Sequence, residues 1–358
     1  MKSIYIHIPF CNSICSYCDF AKVFYNEKYV LKYLESLEFE INNNYKNEII
    51  DTLYIGGGTP SSLSIKELNR LFNILKKIKL SDNYEFTIEC NIDSLTKEKI
   101  DLFKDNKVNR LSIGIETFNK KYLKFLNRKE FNLDVLEYAK KHFDNINVDL
   151  IYAIPNETIE DLNKDIDEFL KLNLNHISLY SLIIEPHTKL YIDKIKNIDE
   201  DLDYEMYQLI DKRLKENGFI HYEVSNYSKE RYESKHNLTY WNNEHYYGFG
   251  LGASGYIDNI RYTNTRNLDK YINCDYDRDI TILDKNMEME NEMILGLRKL
   301  SGVNINKFKE KFNIDIKEAF NIDNLIKEEK LIIKDNYIFI NPKYIYLSND
   351  ILINFIGE

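Results

Sequence analysis

Three cysteines near the N-terminus, Cys11, Cys15 and Cys18, form the pattern with the clearest chemistry in the sequence. Three thiolates on one short loop can each bind one iron of a cubane iron–sulfur cluster. Because a cubane has four irons, one iron keeps an open position, as a catalytic zinc does and a structural zinc does not. In radical enzymes such an iron binds the amino and carboxylate groups of S-adenosylmethionine, and one electron cleaves the sulfonium to a 5′-deoxyadenosyl radical. The spacing therefore predicts a 4Fe–4S cluster with S-adenosylmethionine as its ligand.

A zinc site is the alternative interpretation of the same cysteines. It needs a fourth ligand from elsewhere in the chain, for which Cys90 and His236 are candidates. Zinc loops usually pair two C-x-x-C elements, and the sequence contains no second pair. The pattern favours the iron–sulfur cluster and leaves zinc open.

Charge and cysteine content narrow the cellular setting. The 358 residues carry 48 Lys+Arg against 58 Asp+Glu, a net charge of −10, whereas general nucleic-acid binding usually requires a basic surplus. The sequence has no apolar stretch long enough to span a membrane. Five cysteines, three of them within eight residues, are typical of metal binding in a reducing compartment. We therefore expect a cytoplasmic protein without nucleic-acid partners and without a membrane span.

Six short apolar runs alternate with helical patterns over the first 220 residues. The runs lie at Ser3–Ile8, Thr52–Ile55, Tyr84–Glu89, Arg110–Gly114, Ile146–Ile151 and His176–Leu182. Successive βα units predict a parallel sheet with right-handed crossovers, either open or closed into a full or partial barrel. A helix predicted to follow the second run begins at Ser64, with Glu67 completing a capping box. Polar or glycine-rich residues follow each run, and since the carboxyl ends of parallel strands meet at one rim, we expect them to form one site.

The pattern divides the chain into three parts. Residues 1–220 are the predicted core with the cluster and cofactor site. Residues 221–288 are rich in aromatic residues and glycine, and we expect this segment to close the barrel. Residues 289–358 contain short helical patterns and a hairpin, Leu331–Lys334 with Tyr337–Ile340, which predict a winged-helix-like α+β module. This module has no basic recognition helix, so we expect it to be a lid or a client-docking surface.

The cysteine loop and its flanks resemble a known family. The run from Tyr5 to Phe20 is similar to the opening of the radical SAM superfamily, and within it to the HemW branch of haem chaperones, which are related to oxygen-independent coproporphyrinogen III oxidases. The resemblance continues over nearly the whole chain, through Gly56–Ser61, Leu111–Glu116, Asp149–Tyr152, Tyr222–Tyr227 and His236–Trp241. It implies an α/β fold, with a partial TIM-type (β/α)6 barrel and the C-terminal module. It also implies a protein that binds the cluster, S-adenosylmethionine and haem, takes electrons from a donor, and hands haem to a client.

The resemblance also implies which residues contact the cofactor. The residues that match S-adenosylmethionine contacts are Tyr5, Tyr17, Phe20, Gly57, Gly58, Thr59, Glu89, Glu116, Arg128 and Asp149. Asp149 suits a ribose because a carboxylate can accept two hydrogen bonds, and Arg128 suits the methionyl carboxylate. Glycine-rich backbone at 56–59 predicts an anion-binding nest of amides. The alternative for each side chain is an ordinary ion pair or a core aromatic at the rim.

His236, Asn237, Tyr240 and Trp241 form an H-N-x-x-Y-W motif, for which two interpretations stay open. Imidazole is a common axial ligand of haem iron, and Tyr and Trp can pack on a porphyrin face. The alternative is a structural cluster that closes the barrel mouth without a ligand. Cys90 and Cys274 have no nearby partner in the sequence, and we expect them to be unligated.

Phe20 separates the two branches of the family. The oxidases usually have a fourth cysteine at this position and a long segment before the cluster loop, whereas here only ten residues precede Cys11. The resemblance therefore implies a chaperone without porphyrinogen decarboxylation. A radical oxidoreductase acting on a porphyrinogen or another substrate is the first alternative, and a zinc-stabilised binding protein is the second, so whether the chain is an enzyme stays open.

Five positions depart from the residues usual in the family. Glu116 and Glu157 stand where relatives have Gln, Glu130 and Ser254 where they have His, and Ala153 where they have glycine. Exchanging Gln for Glu removes two amide donors and can add a charge near the cofactor. We expect cluster binding to survive these changes, with haem handling and cofactor turnover more sensitive to them.

Overall fold

Alternating apolar residues in the first half of the chain form a parallel sheet with helices on its outer face. The structure is a computed structural model and describes residues 2–357. The first half contains strands β1 (Ser3–Ile8), β2 (Phe10–Cys11), β3 (Val23–Phe24), β4 (Ile49–Gly57), β5 (Lys79–Asn91), β6 (Arg110–Glu116), β7 (Asn145–Tyr152) and β8 (His176–Ser181). Its helices are α1 (Glu27–Asn44), α2 (Ile65–Leu75), α3 (Lys97–Asp105), α4 (Lys120–Phe125), α5 (Asp134–Ala139), α6 (Ile159–Lys171), α7 (Lys189–Ile192) and α8 (Glu200–Glu216), with a 3₁₀ turn at Pro60–Ser62.

All six predicted strands are confirmed, and they lie side by side in the order β1-β4-β5-β6-β7-β8 with parallel pairing. The capping box of α2 is confirmed as well: the Ser64 hydroxyl accepts from the Glu67 amide, and the Glu67 carboxylate accepts from the Ser64 amide. Leu111, Ile113 and Ile115 of β6 are fully buried in the main hydrophobic core, as strand alternation requires of one face.

The second half of the chain adds strands at both edges of this sheet. Its strands are β9 (Ile220–Glu223), β10 (Asn226–Ser228), β11 (Tyr246–Phe249), β12 (Ser254–Ile257), β13 (Ile260–Thr263), β14 (Asp279–Ile282), β15 (Val303–Asn304), β16 (Leu331–Lys334) and β17 (Tyr337–Ile340). Strands β10 and β9 extend the sheet beyond β8, and β11 to β14 extend it beyond β1. Among residues 2–357 no ladder joins β9 to β14, so the α/β fold is a partial, open barrel, as one of the predicted forms. Residues 221–288, which we expected to close the barrel, lengthen the sheet at both edges without joining them.

The C-terminal residues form a smaller packed unit. Helices α9 (Lys235–Trp241) and α10 (Leu268–Ile272) precede this unit in the chain. The helices of the unit are α11 (Lys285–Gly296), α12 (Ile305–Phe312), α13 (Ile316–Ala319), α14 (Asp323–Lys327) and α15 (Ser348–Leu352), with 3₁₀ turns at Pro342–Leu347 and Ile353–Phe355. The predicted hairpin is confirmed as β16 and β17, and β15 adds a third strand to it. A separate apolar core that includes Met293, Phe308 and Ile338 holds this α+β module together. The predicted boundaries at residues 220 and 288 stay predictions.

A buried carboxylate ties the first half of the chain to the second. Glu40 of α1 is fully buried. One of its oxygens accepts from the Gly250 amide at 2.9 Å and the Tyr271 hydroxyl at 2.7 Å. The other accepts from the Asn264 amide group at 2.7 Å and the Arg278 guanidinium at 2.9 Å. All four donors follow β11 in the sequence, so α1 is fixed against this later segment.

Within the described residues, no helix combines the length and the apolar character needed to cross a membrane.

Candidate functional site

The residues that follow the parallel strands converge on one cavity of about 350 Å³. This convergence was predicted from the strand ends: residues at the first five ends line the cavity, whereas Glu185 and Pro186, predicted for the sixth, do not, and residues 180–183 at the end of β8 line it instead. Of the ten residues matched to cofactor contacts, nine line the cavity: Tyr17, Phe20, Gly57, Gly58, Thr59, Glu89, Glu116, Arg128 and Asp149. Tyr5 does not line it, and its hydroxyl lies 2.9 Å from Nδ1 of His7 beneath the site. The contacts that these residues make with a cofactor stay predictions.

The cysteine loop is fixed at both of its ends and in its middle. Strands β2 and β3 pair with each other, so the loop at 12–22 leaves and returns at the same place. Ser16 donates through its amide to Leu126 O at 3.1 Å and through its hydroxyl to Phe125 O at 2.9 Å. Asn127 donates its side-chain amide to Ile14 O at 2.7 Å. The end of α4 therefore holds the loop in a single position.

All three cysteines line the cavity, and the thiols of Cys11 and Cys15 each have a defined polar or charged neighbour. The Thr59 hydroxyl lies 3.5 Å from Cys11 Sγ, and Arg128 Nη1 lies 3.7 Å from Cys15 Sγ. Burial raises the pKa of the Cys11 thiol to about 11 and also raises the pKa of Cys18. Metal binding must overcome this preference for the protonated thiol, and bound cations are able to do so because a coordinating thiol is deprotonated outright.

The glycine loop packs too closely for side chains. A Cβ atom at Gly57, where φ is +113°, would lie 2.5 Å from the His7 ring, and one at Gly58 would lie 2.6 Å from Pro9 O and 3.0 Å from Cys11 Sγ. The predicted anion-binding nest is wrong, however, because the amides are already used. Gly57 N donates to Glu89 Oε2 at 2.9 Å, while Gly58 N and Thr59 N donate to backbone oxygens of the cysteine strand segment. The loop instead makes room for the cysteine segment and orients Glu89.

Glu89 is the acidic group next to this loop. The Tyr54 hydroxyl donates to its Oε1 at 2.7 Å and Gly57 N to its Oε2. Burial raises the pKa of Glu89 to about 7, against these two hydrogen bonds, which lower it. A carboxylate held in this way is a suitable partner for an ammonium group that enters the cavity.

Glu116, Tyr17 and Arg128 form a buried cluster on the opposite wall. Tyr17 donates to Glu116 Oε1 at 2.8 Å, and Arg128 Nη2 lies 3.5 Å from Glu116 Oε2 and donates to Gly114 O at 2.7 Å. Burial raises the pKa of Glu116, while Arg128 opposes the shift. Glu116 has a φ of +66° at a bulge in the β6–β7 pairing, which turns its side chain toward the cavity.

Asp149 belongs to a connected polar layer inside the sheet. Its oxygens accept from the Ser112 hydroxyl at 3.1 Å and from the Asn147 side-chain amide at 2.8 Å. The same amide group lies 3.0 Å from the Ser178 hydroxyl, and His176 Nδ1 lies 2.6 Å from Asn147 Oδ1. This network fixes the direction of the Asp149 carboxylate.

The H-N-x-x-Y-W motif lies on helix α9, whose N-terminus is capped from β5. Glu85 accepts from the amides of Lys235 and His236, both at 3.0 Å. Both ring nitrogens of His236 are used: Nδ1 lies 2.7 Å from Thr52 Oγ1 and Nε2 lies 2.7 Å from the Tyr240 hydroxyl. Burial lowers the pKa of His236 to about 3, so the ring is neutral.

Of the four motif residues, only Asn237 lines the cavity. His236 and Tyr240 are engaged with each other and with the sheet, and Trp241 at the end of α9 lies 5.5 Å from the Arg298 guanidinium. This arrangement favours the structural interpretation for His236, since neither of its nitrogens is open to a haem iron.

The donor set fits an iron–sulfur cluster better than the zinc alternative. Three cysteines of one loop line a partly open cavity, and the missing Cβ of Gly58 leaves room beside Cys11. Of the two candidates for a fourth zinc ligand, Cys90 lines the cavity and His236 does not. His236 is hydrogen-bonded at both nitrogens, and the Cys90 thiol is directed to Ile88 O at 3.9 Å. Neither completes a zinc site.

The loop after β7 contains two of the departures from the family pattern. Ala153 and Asn156 have left-handed backbone, with φ of +60° and +66°. Glu157 is 2% exposed, and its Oε2 accepts from Ile154 N at 3.0 Å while its Oε1 has no partner among the described residues. Burial raises the pKa of Glu157 to about 8.

The other two departures lie on the surface. Glu130 forms an exposed ion pair with Lys120, and the Ser254 hydroxyl lies 2.8 Å from that of Thr263. Neither residue lines the cavity.

Sequence reasoning missed several residues that line the cavity, above all Tyr54, Arg110 and Asn147. Arg110 and Asn147 lie on predicted strands at the same alternation as a predicted site residue: Arg110 lies six residues before Glu116, and Asn147 lies two before Asp149. The period-two alternation of a strand could have identified them once the inner face was known.

Comparisons with known proteins agree with this arrangement. Residues 5–169 match the model of the Radical SAM superfamily, and residues 283–347 match that of the HemN C-terminal domain. The chain is 41% identical over 369 residues to "Heme chaperone HemW" of Lactococcus lactis, covering 99% of this chain and 97% of the relative. It is 37% identical over 380 residues to "Heme chaperone HemW" of Bacillus subtilis, with both chains covered completely.

A solved structure has the same fold. Coproporphyrinogen III oxidase (HemN) from Escherichia coli, described as a radical SAM enzyme, superposes with a TM-score of 0.87. The match covers 99% of this chain and 89% of the other, at 21% identity. At that identity the likeness supports the fold alone, including the predicted combination of open barrel and C-terminal module.

Proposed function

The chain belongs to the HemW family of radical SAM proteins, and from that premise we propose that it is a haem chaperone. Membership in the radical SAM superfamily implies a 4Fe–4S cluster and S-adenosylmethionine. In the proposed role the protein also binds haem and passes it to a client protein, with an external reductant as the electron source. The cluster would supply the electron and the open iron for S-adenosylmethionine.

One observation carries the proposal: three thiols from one loop face a cavity whose walls bear both acidic and basic groups at the carboxyl ends of parallel strands. An amino acid cofactor needs such a mixture, because its ammonium and carboxylate require partners of opposite sign. Full-length similarity to two haem chaperones supports the choice of cargo.

We assign the following roles within this proposal. Cys11, Cys15 and Cys18 hold the cluster. Glu89 receives the ammonium of S-adenosylmethionine, Arg128 its carboxylate, and Asp149 its ribose. The remaining cofactor contacts come from aromatic rings and from the glycine loop with its neighbours: Tyr17, Phe20, Gly57, Gly58, Thr59 and Glu116. Tyr5 acts indirectly through His7.

For haem, we infer that the H-N-x-x-Y-W motif contributes through Asn237, which lines the cavity, while His236 and Tyr240 hold helix α9 in place. Phe20 at the rim is 67% exposed and offers an apolar surface to a porphyrin face. A cytoplasmic location is part of the proposal, since all five cysteines are free thiols.

The proposal is tested by titrating haem into anaerobically reconstituted protein and recording the Soret band. We expect saturable binding at micromolar haem. Asn237→Ala should weaken it, whereas Asn259→Ala, a substitution outside the cavity lining, should not. No spectral change at micromolar haem would count against the chaperone function.

A parallel assay separates the chaperone from the oxidase alternative. With S-adenosylmethionine, reductant and a porphyrinogen, an oxidase would release carbon dioxide and form 5′-deoxyadenosine in proportion to the substrate consumed. We expect no carbon dioxide, because Phe20 occupies the position of the oxidases' fourth cysteine. Substrate-dependent release of carbon dioxide would contradict the proposal.

A further inference from the structure

A buried guanidinium at the floor of the cavity forms no ion pair among the described residues, although it lies close enough to Glu89 to lower the pKa of that carboxyl. Arg110 is the first residue of β6, lines the cavity and is only 2% exposed. Its Nε has no hydrogen-bond partner among the described residues. No carboxylate of residues 2–357 forms an ion pair with it within 4.0 Å, in contrast to Arg128, which contacts Glu116 and Gly114 O.

The residues beside Arg110 on the two adjacent strands also have buried polar atoms without hydrogen-bond partners. Thr87 on β5 and Asn145 on β7 are its register partners on the two adjacent strands. Thr87 Oγ1 and Asn145 Oδ1 are also buried without a partner among the described residues. One layer nearer the rim, Ser112 and Asn147 have their side chains fully engaged in hydrogen bonds with each other and with Asp149. Arg110 and its two register partners therefore form a group of side chains whose polar atoms are buried without partners, directly beneath a layer of satisfied ones.

A buried charge of this kind is costly unless a partner satisfies it, because taking a guanidinium out of water loses its hydration. The nearby imidazoles do not supply the partner. His176 and His236 are kept neutral by burial, and their ring nitrogens are occupied by hydrogen bonds within the protein. A planar guanidinium that opens into a cavity is well suited to a carboxylate, which it can bind with two parallel hydrogen bonds.

We propose that Arg110 is a carboxylate-binding residue at the floor of the cavity and completes its hydrogen bonds with a carboxylate of the bound ligand. Two ligands of the proposed function bear this group: haem, through its propionates, for which no basic partner has been assigned above, and S-adenosylmethionine, through its methionyl carboxylate, which Arg110 would then hold together with or in place of Arg128. The haem source rests on the proposed function, whereas the S-adenosylmethionine source rests only on membership in the superfamily.

The test compares each ligand with its ester. Haem and haem dimethyl ester are titrated into the reconstituted wild-type protein, and S-adenosylmethionine and its methyl ester are titrated separately. For the ligand that Arg110 holds, we expect the carboxylate form to bind at least about tenfold more tightly than the ester. In Arg110→Gln this preference should disappear, and in Arg110→Lys part of it should remain.

A matched control is Arg70→Gln on α2, which removes the same charge from an exposed pair with Glu38. It should leave both preferences unchanged. The thermal midpoint of the ligand-free Arg110→Gln protein should equal or exceed that of the wild type, because the substitution removes an unpaired buried charge. A clear fall in that midpoint would indicate that Arg110 balances internal charge, and would overturn the proposal.

The outcomes are distinguishable. Loss of the haem preference in Arg110→Gln supports a propionate as the ligand group, and loss of the S-adenosylmethionine preference supports the methionyl carboxylate. Equal affinity of the wild-type protein for acid and ester in both pairs overturns the inference, and this comparison needs no variant to fold. Failure of the wild type to bind either haem or its diester defeats the haem chaperone function, and the S-adenosylmethionine pair then decides the role of Arg110 by itself.

Discussion

The two faces of strand β6 differ in their chemistry, although every residue of the strand is buried and the two sets alternate along one chain. On the outer face, Leu111, Ile113 and Ile115 are fully buried against apolar side chains of the main core. On the inner face, Arg110, Ser112 and Glu116 line the cavity and interact through charge and hydrogen bonds or have atoms without partners. The outer face stabilises the fold through packing, and the inner face presents polar groups whose hydrogen bonds are only partly made within the protein.

Adjacent residues of the same strand therefore contribute in turn to the stability of the fold and to ligand binding. Truncating an apolar core side chain lowers the free energy of unfolding by an amount that grows with the cavity left behind. For a polar side chain inside the sheet, the effect of a substitution depends on whether the hydrogen-bond partner of that side chain is present. Substitutions on the two faces should therefore differ in kind, and the largest expected effect belongs to the cavity side.

Replacing Cys11, Cys15 and Cys18 together by serine should abolish iron and sulfide binding while leaving secondary structure intact, because the thiols contribute nothing to the outer-face core. Chemical analysis of iron and sulfide, with far-ultraviolet circular dichroism, measures both. Cys274→Ser, an exposed cysteine away from the cavity, serves as the control and should keep its cluster. Iron retained by the triple variant would contradict the cluster assignment.

Ile113→Ala should destabilise the protein by about 2–4 kcal/mol, since it leaves a cavity in the outer-face core. Ser112→Ala, its neighbour on the inner face, should cost only about 1 kcal/mol of stability, from the hydrogen bonds to Asp149 and Asn147. It should weaken S-adenosylmethionine binding more than Ile113→Ala does. Denaturant unfolding and cofactor titration of both variants test the pair, and a larger stability loss for Ser112→Ala would reverse the comparison.

Glu157→Gln should remove a pH dependence of stability that originates in the loop after β7. Burial raises the pKa of Glu157 from an ordinary value of 4.5 to about 8, so the native state holds a proton that the unfolded state loses as the pH rises between these values. This group alone therefore reduces stability by up to about 1.4 kcal/mol per pH unit over that window. Urea unfolding at pH 5.5 and pH 8 should show the variant gaining on the wild type as the pH rises. A constant difference would show that Glu157 titrates normally.

Ala153→Gly should have the smallest effect, a stabilisation of about 0.5–1 kcal/mol, because Ala153 has a φ of +60° that glycine adopts without strain. Thermal unfolding measures it. Ala139→Gly in helix α5 is the matched control and should destabilise by a similar or larger amount, since glycine is unfavourable in a helix.

Local patterns predicted those parts of the fold that local interactions determine. The capping box at Ser64 and the hairpin of β16 and β17 both depend on residues close in the chain, and both are confirmed. The six parallel strands were found because each is a continuous β-branched or aromatic run.

Contacts between distant residues were out of reach of such patterns. Glu85 reads as one more polar residue in a strand, yet it caps helix α9 from a position 150 residues away. The extension of the sheet by β9 to β14 was missed because its attachment depends on the pairing of β11 with β1 and of β10 with β8, which lie far apart in the sequence. Within the site, residue types predicted which groups face the cavity, but only the geometry showed that the amides at 57–59 are occupied and that the His236 ring has no open nitrogen.

The buried Glu40 decides whether the cluster-binding half of this chain can be separated from the rest. A chain truncated after residue 220 would keep all three cysteines but would lose Gly250, Asn264, Tyr271 and Arg278, the donors that satisfy this carboxylate. It would also expose one edge of β1, which carries the chain into the cysteine loop, by removing its neighbour β11. The match at 5–169 thus marks a stretch of shared ancestry, and not a fragment that we expect to fold when expressed by itself.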